Sequence, residues 1–276
     1  MTTTYDNLQP RTFLAALDID GTIAPSGTVD VAKAVRDAVA DARAAGHHVV
    51  LSSGRSLLGV LPVASVLGLT DGWIVASNGA VTARLDPQAP EGYHLHHVLT
   101  FDAQPVVRLA RSAFPGVRIA AERVGHGYDV TRLFSPQQLN GAQKVVDVAK
   151  VTERLTTRLI LHAPGLLDQI DEFRATGVTV NPDGADWLDI TPPRLSKATA
   201  LEYVRARLKV DPAHTIAVGD GVNDVEMLTW AERGVAMGDS PAEVCAAADE
   251  VADTLAGNGA ATVLRSLLPE TIPAAP

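Results

Sequence analysis

Two short apolar runs, far apart in the chain, each end abruptly in an acidic, glycine-bearing loop. Phe13 to Leu17 leads into Asp18-Ile19-Asp20-Gly21-Thr22, and His214 to Val218 leads into Gly219-Asp220-Gly221-Val222-Asn223-Asp224. A run this short, bounded by turn residues, reads as a strand buried on both faces, which is the habit of parallel sheets. The intervening segments carry helical periodicity. Asp30 can cap a helix with Val31, Ala34, Val35, Ala38, Val39 and Ala42 on one face and Gly46 as its stop. Further strands are predicted at Thr12 to Leu17, His48 to Ser52, Trp73 to Ala76 and Gly234 to Met237. Strands alternating with helices predict a parallel sheet covered on both sides, a doubly wound α/β core.

The middle of the chain breaks this rhythm. Strands are predicted at Tyr93 to Leu99, Val117 to Ala121, Arg158 to His162, Val178 to Val180 and Trp187 to Ile190, with helices at Ala103 to Phe114 and Leu166 to Ala175. This reads as an α+β unit inserted into the core, giving a core of residues 1–82 and 191–276 and an insert of residues 83–190. The Pro- and Ala-rich end after Leu268 reads as a frayed tail.

Composition narrows the function. Of 276 residues, 46% are apolar and 20% charged, enough to bury a core, so a disordered chain is excluded. The net charge of −9 argues against nucleic acid, whose backbone must be neutralised by Lys and Arg. No apolar stretch approaches the roughly 18–20 residues that span a membrane. Met1 to Arg11 lacks the basic and apolar regions of a secretory signal. The lone cysteine, Cys245, rules out an internal disulfide framework, so the cytoplasm is expected.

Four places carry chemistry. Asp18 and Asp20 lie beyond the carboxyl end of a strand, where parallel sheets bind ligands; one can act as nucleophile or metal ligand and the other as proton donor. A calcium loop would need further oxygen ligands that Ala24-Pro25-Ser26-Gly27 does not supply. Ser52-Ser53-Gly54-Arg55 offers a hydroxyl, a glycine amide and a guanidinium to phosphate oxygens, although Ser53 could equally cap a helix. Lys197 opens a helix, where a lysine is ordinarily solvated. Asp220 and Asp224 again put carboxylates at a strand end, suited to magnesium with phosphate. Asp18 and Ser53 are 35 residues apart (53 − 18) and Lys197 and Asp220 are 23 apart (220 − 197), each about one strand–helix unit, so all four places fall on one edge of one sheet. His94, His96 and His97 have no accompanying carboxylate pattern and read as an exposed strand face.

In this order, Asp18-Ile19-Asp20-Gly21-Thr22, Ser53-Gly54-Arg55, Lys197 and Gly219-Asp220-Gly221-Val222-Asn223-Asp224 resemble the four motifs of the haloacid dehalogenase superfamily. Ser77-Asn78-Gly79-Ala80, Leu188-Asp189-Ile190 and Gly234-Val235-Ala236-Met237-Gly238 resemble signatures of its Cof-like hydrolases, which carry a large cap between the second and third motifs. The likeness runs from about residue 12 to residue 268. Ser53 stands where threonine is commoner, Asp239-Ser240 where many relatives carry Asn-Ala, and Cys245 where lysine is frequent. These departures bear on the choice of substrate more than on the chemistry.

The resemblance implies magnesium-dependent hydrolysis of a small phosphorylated metabolite through an aspartyl-phosphate. Asp18 would be the nucleophile and Asp20 the acid and base. Ser53, Gly54, Lys197 and Asn223 would bind the phosphoryl group, and Arg55 and Asn78 would face substrate. Magnesium would be held by Asp18, the backbone carbonyl of Asp20 and Asp220, with Asp224 supporting that shell or orienting Lys197. The cap would close over the site and present Arg, Lys and His side chains, leaving a monomer as the expected state. A phosphotransferase or mutase of the same superfamily and a non-catalytic phosphometabolite-binding regulator are the alternatives. A dinucleotide-dependent redox enzyme lacks its glycine fingerprint after the first strand.

Overall fold

The computed structural model describes residues 11–135 and 138–269. Its first sheet begins with β1 (Leu14–Leu17), and α1 (Lys33–Ala44) leads to β2 (His48–Ser52). Then α2 (Leu57–Val66) leads to β3 (Gly72–Ala76), followed by β4 (Val81–Leu85) and β5 (Tyr93–Val98). The chain next forms α3 (Gln104–Ala113), β6 (Arg118–Arg123), β7 (Gly127–Val130), β8 (Ala142–Val145) and α4 (Val148–Val151). These are followed by β9 (Leu159–His162), α5 (Ile170–Arg174), β10 (Thr179–Pro182) and β11 (Trp187–Thr191). It returns through α6 (Lys197–Leu208), β12 (Thr215–Gly219), α7 (Val225–Trp230) and β13 (Arg233–Ala236). It closes with α8 (Ala242–Ala247), β14 (Glu250–Val251) and α9 (Gly259–Arg265).

The first sheet has the order β14-β13-β12-β1-β2-β3-β4-β5 and the second β10-β11-β9-β6-β7-β8. Strand β1 pairs in parallel with both β2 and β12, so the chain winds outward from it in both directions. Its alternate side chains point to opposite layers. Ala15 and Leu17 pack with Val35 and Val39 of α1, Val60 and Val63 of α2, and Leu264 of α9. Leu14 and Ala16 pack with Leu201 and Val204 of α6 and Met227 of α7. The core is therefore doubly wound α/β, as expected.

Three expectations are corrected. Strands β4 and β5 do not belong with the insert: they continue the first sheet as an antiparallel pair, with Val81, Ala83 and Leu85 buried in its core. The boundary expected at residue 83 therefore moves to about Phe101, which bridges to Thr156. The helix expected from Asp30 begins at Lys33 with no side-chain cap. The helix expected over Leu166 to Ala175 is a 3-10 turn at Leu166–Gln169 followed by the short α5. The tail expected beyond Leu268 lies, from residue 270 on, outside the described residues.

The second sheet packs one face on α3 through Val106, Val107 and Ala110 with Ile119, Leu159 and Leu188. Its other face carries Tyr128, Phe134 and Ile160, with Trp187 against them. A buried hydrogen bond ties the two sheets' regions together: Ser77 Oγ, just after β3, donates to Glu122 Oε2 of β6 at 2.7 Å, and Thr157 Oγ1 donates to the same oxygen at 2.8 Å. Burial raises the Glu122 carboxyl above its ordinary range.

Candidate active site

The carboxyl ends of β1 and β12, neighbours at the point where the winding reverses, deliver Asp18 and Asp220 to one place. Asp18 is buried, and its backbone N–H still donates to Val218 as the last rung of the ladder. The turn after it requires Gly21. Its φ is +77°, and a Cβ there would lie 2.1 Å from Asp220 Oδ2. Thr22 Oγ1 donates to Asp220 Oδ1 at 2.8 Å, orienting that carboxylate. Asp18, Asp220 and Asp224 each offer an oxygen within 4.8 Å of the others.

Lys197 reaches this cluster from behind. Ser196 and Thr199 form a reciprocal cap: Thr199 N–H donates to Ser196 Oγ, and Ser196 N–H donates to Thr199 Oγ1. That start fixes Lys197 in the first turn of α6. Its side chain is 1% exposed, and Nζ donates to Asp18 Oδ1 and Asp224 Oδ1, both at 2.6 Å. Burial works to strip the ammonium of its proton, but the two carboxylates outweigh this and hold it more tightly than in an ordinary lysine. Asp224 Oδ2 accepts from the backbone N–H groups of Asp220 and Gly221, so Asp224 orients both the lysine and its own loop.

Negative charge exceeds positive here. Burial, reinforced by the Asp224 carboxylate and opposed by Lys197, raises Asp18. Burial likewise pushes Asp220 up to about 6, with Thr22 acting against it. Three hard oxygen donors around one lysine suit a divalent cation such as magnesium, which prefers carboxylates together with phosphate and water.

The Asp20 side chain lies outside the acidic cluster. Its carboxylate accepts from Arg55 Nε at 2.8 Å and Nη2 at 2.7 Å, and from the Gly27 N–H at 2.7 Å. Burial works upward on this carboxyl, but the Arg55 guanidinium outweighs it and holds Asp20 below the usual carboxylate range. The metal expectation for Asp20 thus falls on its backbone carbonyl alone. Arg55, expected to face substrate directly, is committed to Asp20.

The other expected residues converge. Ser53 is buried and its Oγ accepts from the Arg55 N–H at 3.1 Å. Asn223 Nδ2 donates to Asn78 Oδ1 at 2.9 Å. Ser77 and Asn78 both have positive φ (52° and 53°). Their N–H groups donate to Arg55 O and Ser53 O, which holds this strained turn in place.

Of the expected residues, Asp18, Asp20, Ser53, Asn78, Asp220 and Asn223 line one face of a cavity of about 730 Å³, whose opposite face comes from the second sheet and the loop before β8. Of the insert's Arg, Lys and His side chains, expected as candidates to face substrate, that face presents Arg158 and His162 and, among the described residues, no lysine. It carries Asp183, Asp186 and Asp189, Asn140 and Asn181, His162, Trp187 and one arginine, Arg158. Arg158 Nε donates to Asp189 Oδ2 at 2.8 Å and Nη1 to Tyr128 Oη at 3.1 Å, while Trp187 Nε1 donates to Asp189 Oδ1 at 2.9 Å. The alternation Trp187-Leu188-Asp189 on a strand puts the first and third residues on one face, and it is the signal that would have found them.

A sequence profile for haloacid dehalogenase-like hydrolases matches residues 15–264. The chain is 25% identical to 5-amino-6-(5-phospho-D-ribitylamino)uracil phosphatase YcsE of Bacillus subtilis, over 91% of this chain and 94% of that one. It is 30% identical to a phosphoglycolate phosphatase of Natronomonas pharaonis, over 88% and 92%. Among solved structures, the phosphatase BT1666 from Bacteroides thetaiotaomicron superposes with a TM-score of 0.78 at 23% identity, covering 97% of this chain and 99% of that one. The chain therefore belongs to the haloacid dehalogenase-like hydrolases, as an enzyme of their Cof-like phosphatase group.

Proposed function

We propose that this chain is a magnesium-dependent phosphatase that hydrolyses a small phosphorylated metabolite through an aspartyl-phosphate on Asp18. The carrying observation is Asp18 itself, held by a buried lysine at the end of the central strand and opening into the cavity.

The Asp18 carboxylate attacks phosphorus as the bond to the leaving oxygen breaks, and Asp20 gives that oxygen its proton. The free site holds Asp20 ionised through Arg55; a phosphoryl dianion arriving beside it opposes that effect and raises its affinity for a proton. In the second half, Asp20 takes a proton from water, whose oxygen attacks phosphorus and releases inorganic phosphate from Asp18. Lys197 keeps Asp18 placed and offsets charge on the phosphoryl oxygens, with Ser53, Gly54 and Asn223 supplying further donors. Asp18, Asp220 and the Asp20 backbone carbonyl would hold magnesium, which when bound would neutralise the remaining charge. Asn78 positions Asn223 through their hydrogen bond.

The second sheet closes the cavity within one chain, which supports a monomer, and the single cysteine supports the cytoplasm as its place of work. No helix among the described residues is long and apolar enough to cross a membrane.

The test is phosphate release from a panel of small phosphoesters with magnesium and with chelator, beside Asp18→Asn. Magnesium-dependent turnover that disappears in the variant is expected. Turnover of Asp18→Asn within tenfold of the parent would remove Asp18 as nucleophile.

A further inference from the structure

The cavity has two ends of different character. At the phosphoryl end, excess negative charge is what a cation and the phosphate-binding donors answer. At the far end no metal cluster exists among the described residues, yet Asp183, Asp186 and Asp189 all line the wall. Only Asp189 has an ion-pair partner, Arg158. Asp183 and Asp186 are exposed; among the described residues the Asp183 carboxylate accepts no hydrogen bond, and the Asp186 carboxylate accepts one, from the Gly165 N–H at 2.9 Å. Among the described residues the one other arginine of the lining, Arg55, is held by Asp20. Arg118 lies outside the lining, behind His162, with Nη2 donating to His162 Nδ1 at 2.8 Å. Burial, with the Arg118 charge beside it, holds the His162 imidazole below its ordinary range, and a neutral ring accepting from Arg118 at Nδ1 carries its N–H at Nε2.

Among the described residues, no cation of the lining is thus free to meet a second anionic group on the substrate. Polar donors remain. Asn181 Nδ2 is buried in this wall with no hydrogen-bond partner, a state that costs free energy unless an acceptor arrives. Asn140 and His162 stand on the same wall. The Trp187 ring, fixed through its N–H by Asp189, gives a flat apolar surface beside His162.

Resting on the phosphatase reading, we propose that the site selects its leaving group by charge. It takes a hydroxyl-rich group that carries no second anion, it favours an amine, and Asp183 and Asp186 are the selecting residues. Hydroxyl oxygens meet Asn181 and its neighbours, an ammonium meets the two carboxylates, and a carboxylate or second phosphate is repelled by them.

Three six-carbon monoesters test this with the phosphate held constant: glucosamine 6-phosphate, glucose 6-phosphate and 6-phosphogluconate, whose leaving groups carry an ammonium on C2, no charge, and a carboxylate at C1. Their inhibition constants against p-nitrophenyl phosphate turnover by the parent chain, and calorimetric Kd values on Asp18→Asn, should rise in that order. The ends are expected to differ by about tenfold or more at low salt. In the double variant Asp183→Asn, Asp186→Asn the order should collapse to within about threefold. Equal affinities, tightest binding by 6-phosphogluconate, or binding by none of the three while p-nitrophenyl phosphate is turned over would each overturn the proposal. Failure of the phosphatase reading is separate: the parent then shows no magnesium-dependent turnover of p-nitrophenyl phosphate, while the Kd order still decides the question of charge.

Discussion

Lys197 Nζ lies 2.6 Å from Asp18 Oδ1, joining residues 179 positions apart in the sequence at a point with almost no solvent. The same nitrogen serves Asp224, so one positive charge compensates two buried carboxylates. Lys197→Met would leave both uncompensated, at a cost of about 3–5 kcal/mol of stability. Turnover should fall at least about a thousandfold. Urea unfolding and phosphate release measure the two effects, and a variant of parental stability with activity within tenfold contradicts this role.

Arg55 sets the protonation of Asp20. Arg55→Met removes two of the hydrogen bonds and the nearest charge that hold the carboxyl down, leaving burial opposed only by the Gly27 N–H and the Lys197 charge. The Asp20 carboxyl should titrate at higher pH in the variant, followed by carbon NMR of labelled aspartate. An unshifted titration would mean that Arg55 does not govern this group.

Asp220 makes the metal-free chain respond to pH in a defined direction. Its folded carboxyl, pushed up to about 6, binds a proton more readily than the unfolded one, and Asp18 is shifted the same way. The stability this contributes is full below about pH 4 and is lost as the pH rises through 6. In chelator, Asp220→Asn keeps an acceptor for Thr22 and escapes the loss. Its Tm should gain on the parent by roughly 2–4 °C between pH 4 and pH 7. Added magnesium should erase the parent's deficit, and a constant Tm difference across that range would count against the shift.

Gly21→Ala should weaken metal use without replacing any carboxylate. The added methyl would meet Asp220 Oδ2 at 2.1 Å in a backbone conformation that side chains rarely adopt, so Asp220 must move. The magnesium concentration for half-maximal turnover is expected to rise at least about tenfold. An unchanged magnesium titration would show that the loop adapts.

The parallel core was legible because its strands are short, apolar and end in loops whose residue types have few other uses. The site's four segments were legible for the same reason, since strand ends fix their common edge. Other elements carried weaker or misleading signals. Helix α2 contains Pro62, which lacks the N–H that a helix interior needs and argues against a helix in the sequence alone. Strands β4 and β5 pair antiparallel after a chain of parallel strands, and Tyr93–Val98 has no fully buried residue, so no buried alternation marks its sheet. The Arg55–Asp20 pair and the acidic far wall depend on side-chain partners that residue type alone does not assign. Arg55 looked equally suited to a phosphate.

Strand β1 lies at the middle of the first sheet, but one of its two partners, β12, is made about 200 residues later. At 5–20 residues per second, β1 waits roughly ten to forty seconds during synthesis with one edge bare. In that interval a four-residue apolar strand is an open template for pairing with other chains. The order of emergence from the ribosome therefore makes the yield of active protein sensitive to slow translation or to loss of chaperone cover. Truncation anywhere before residue 219 should leave an aggregating product rather than a smaller folded one.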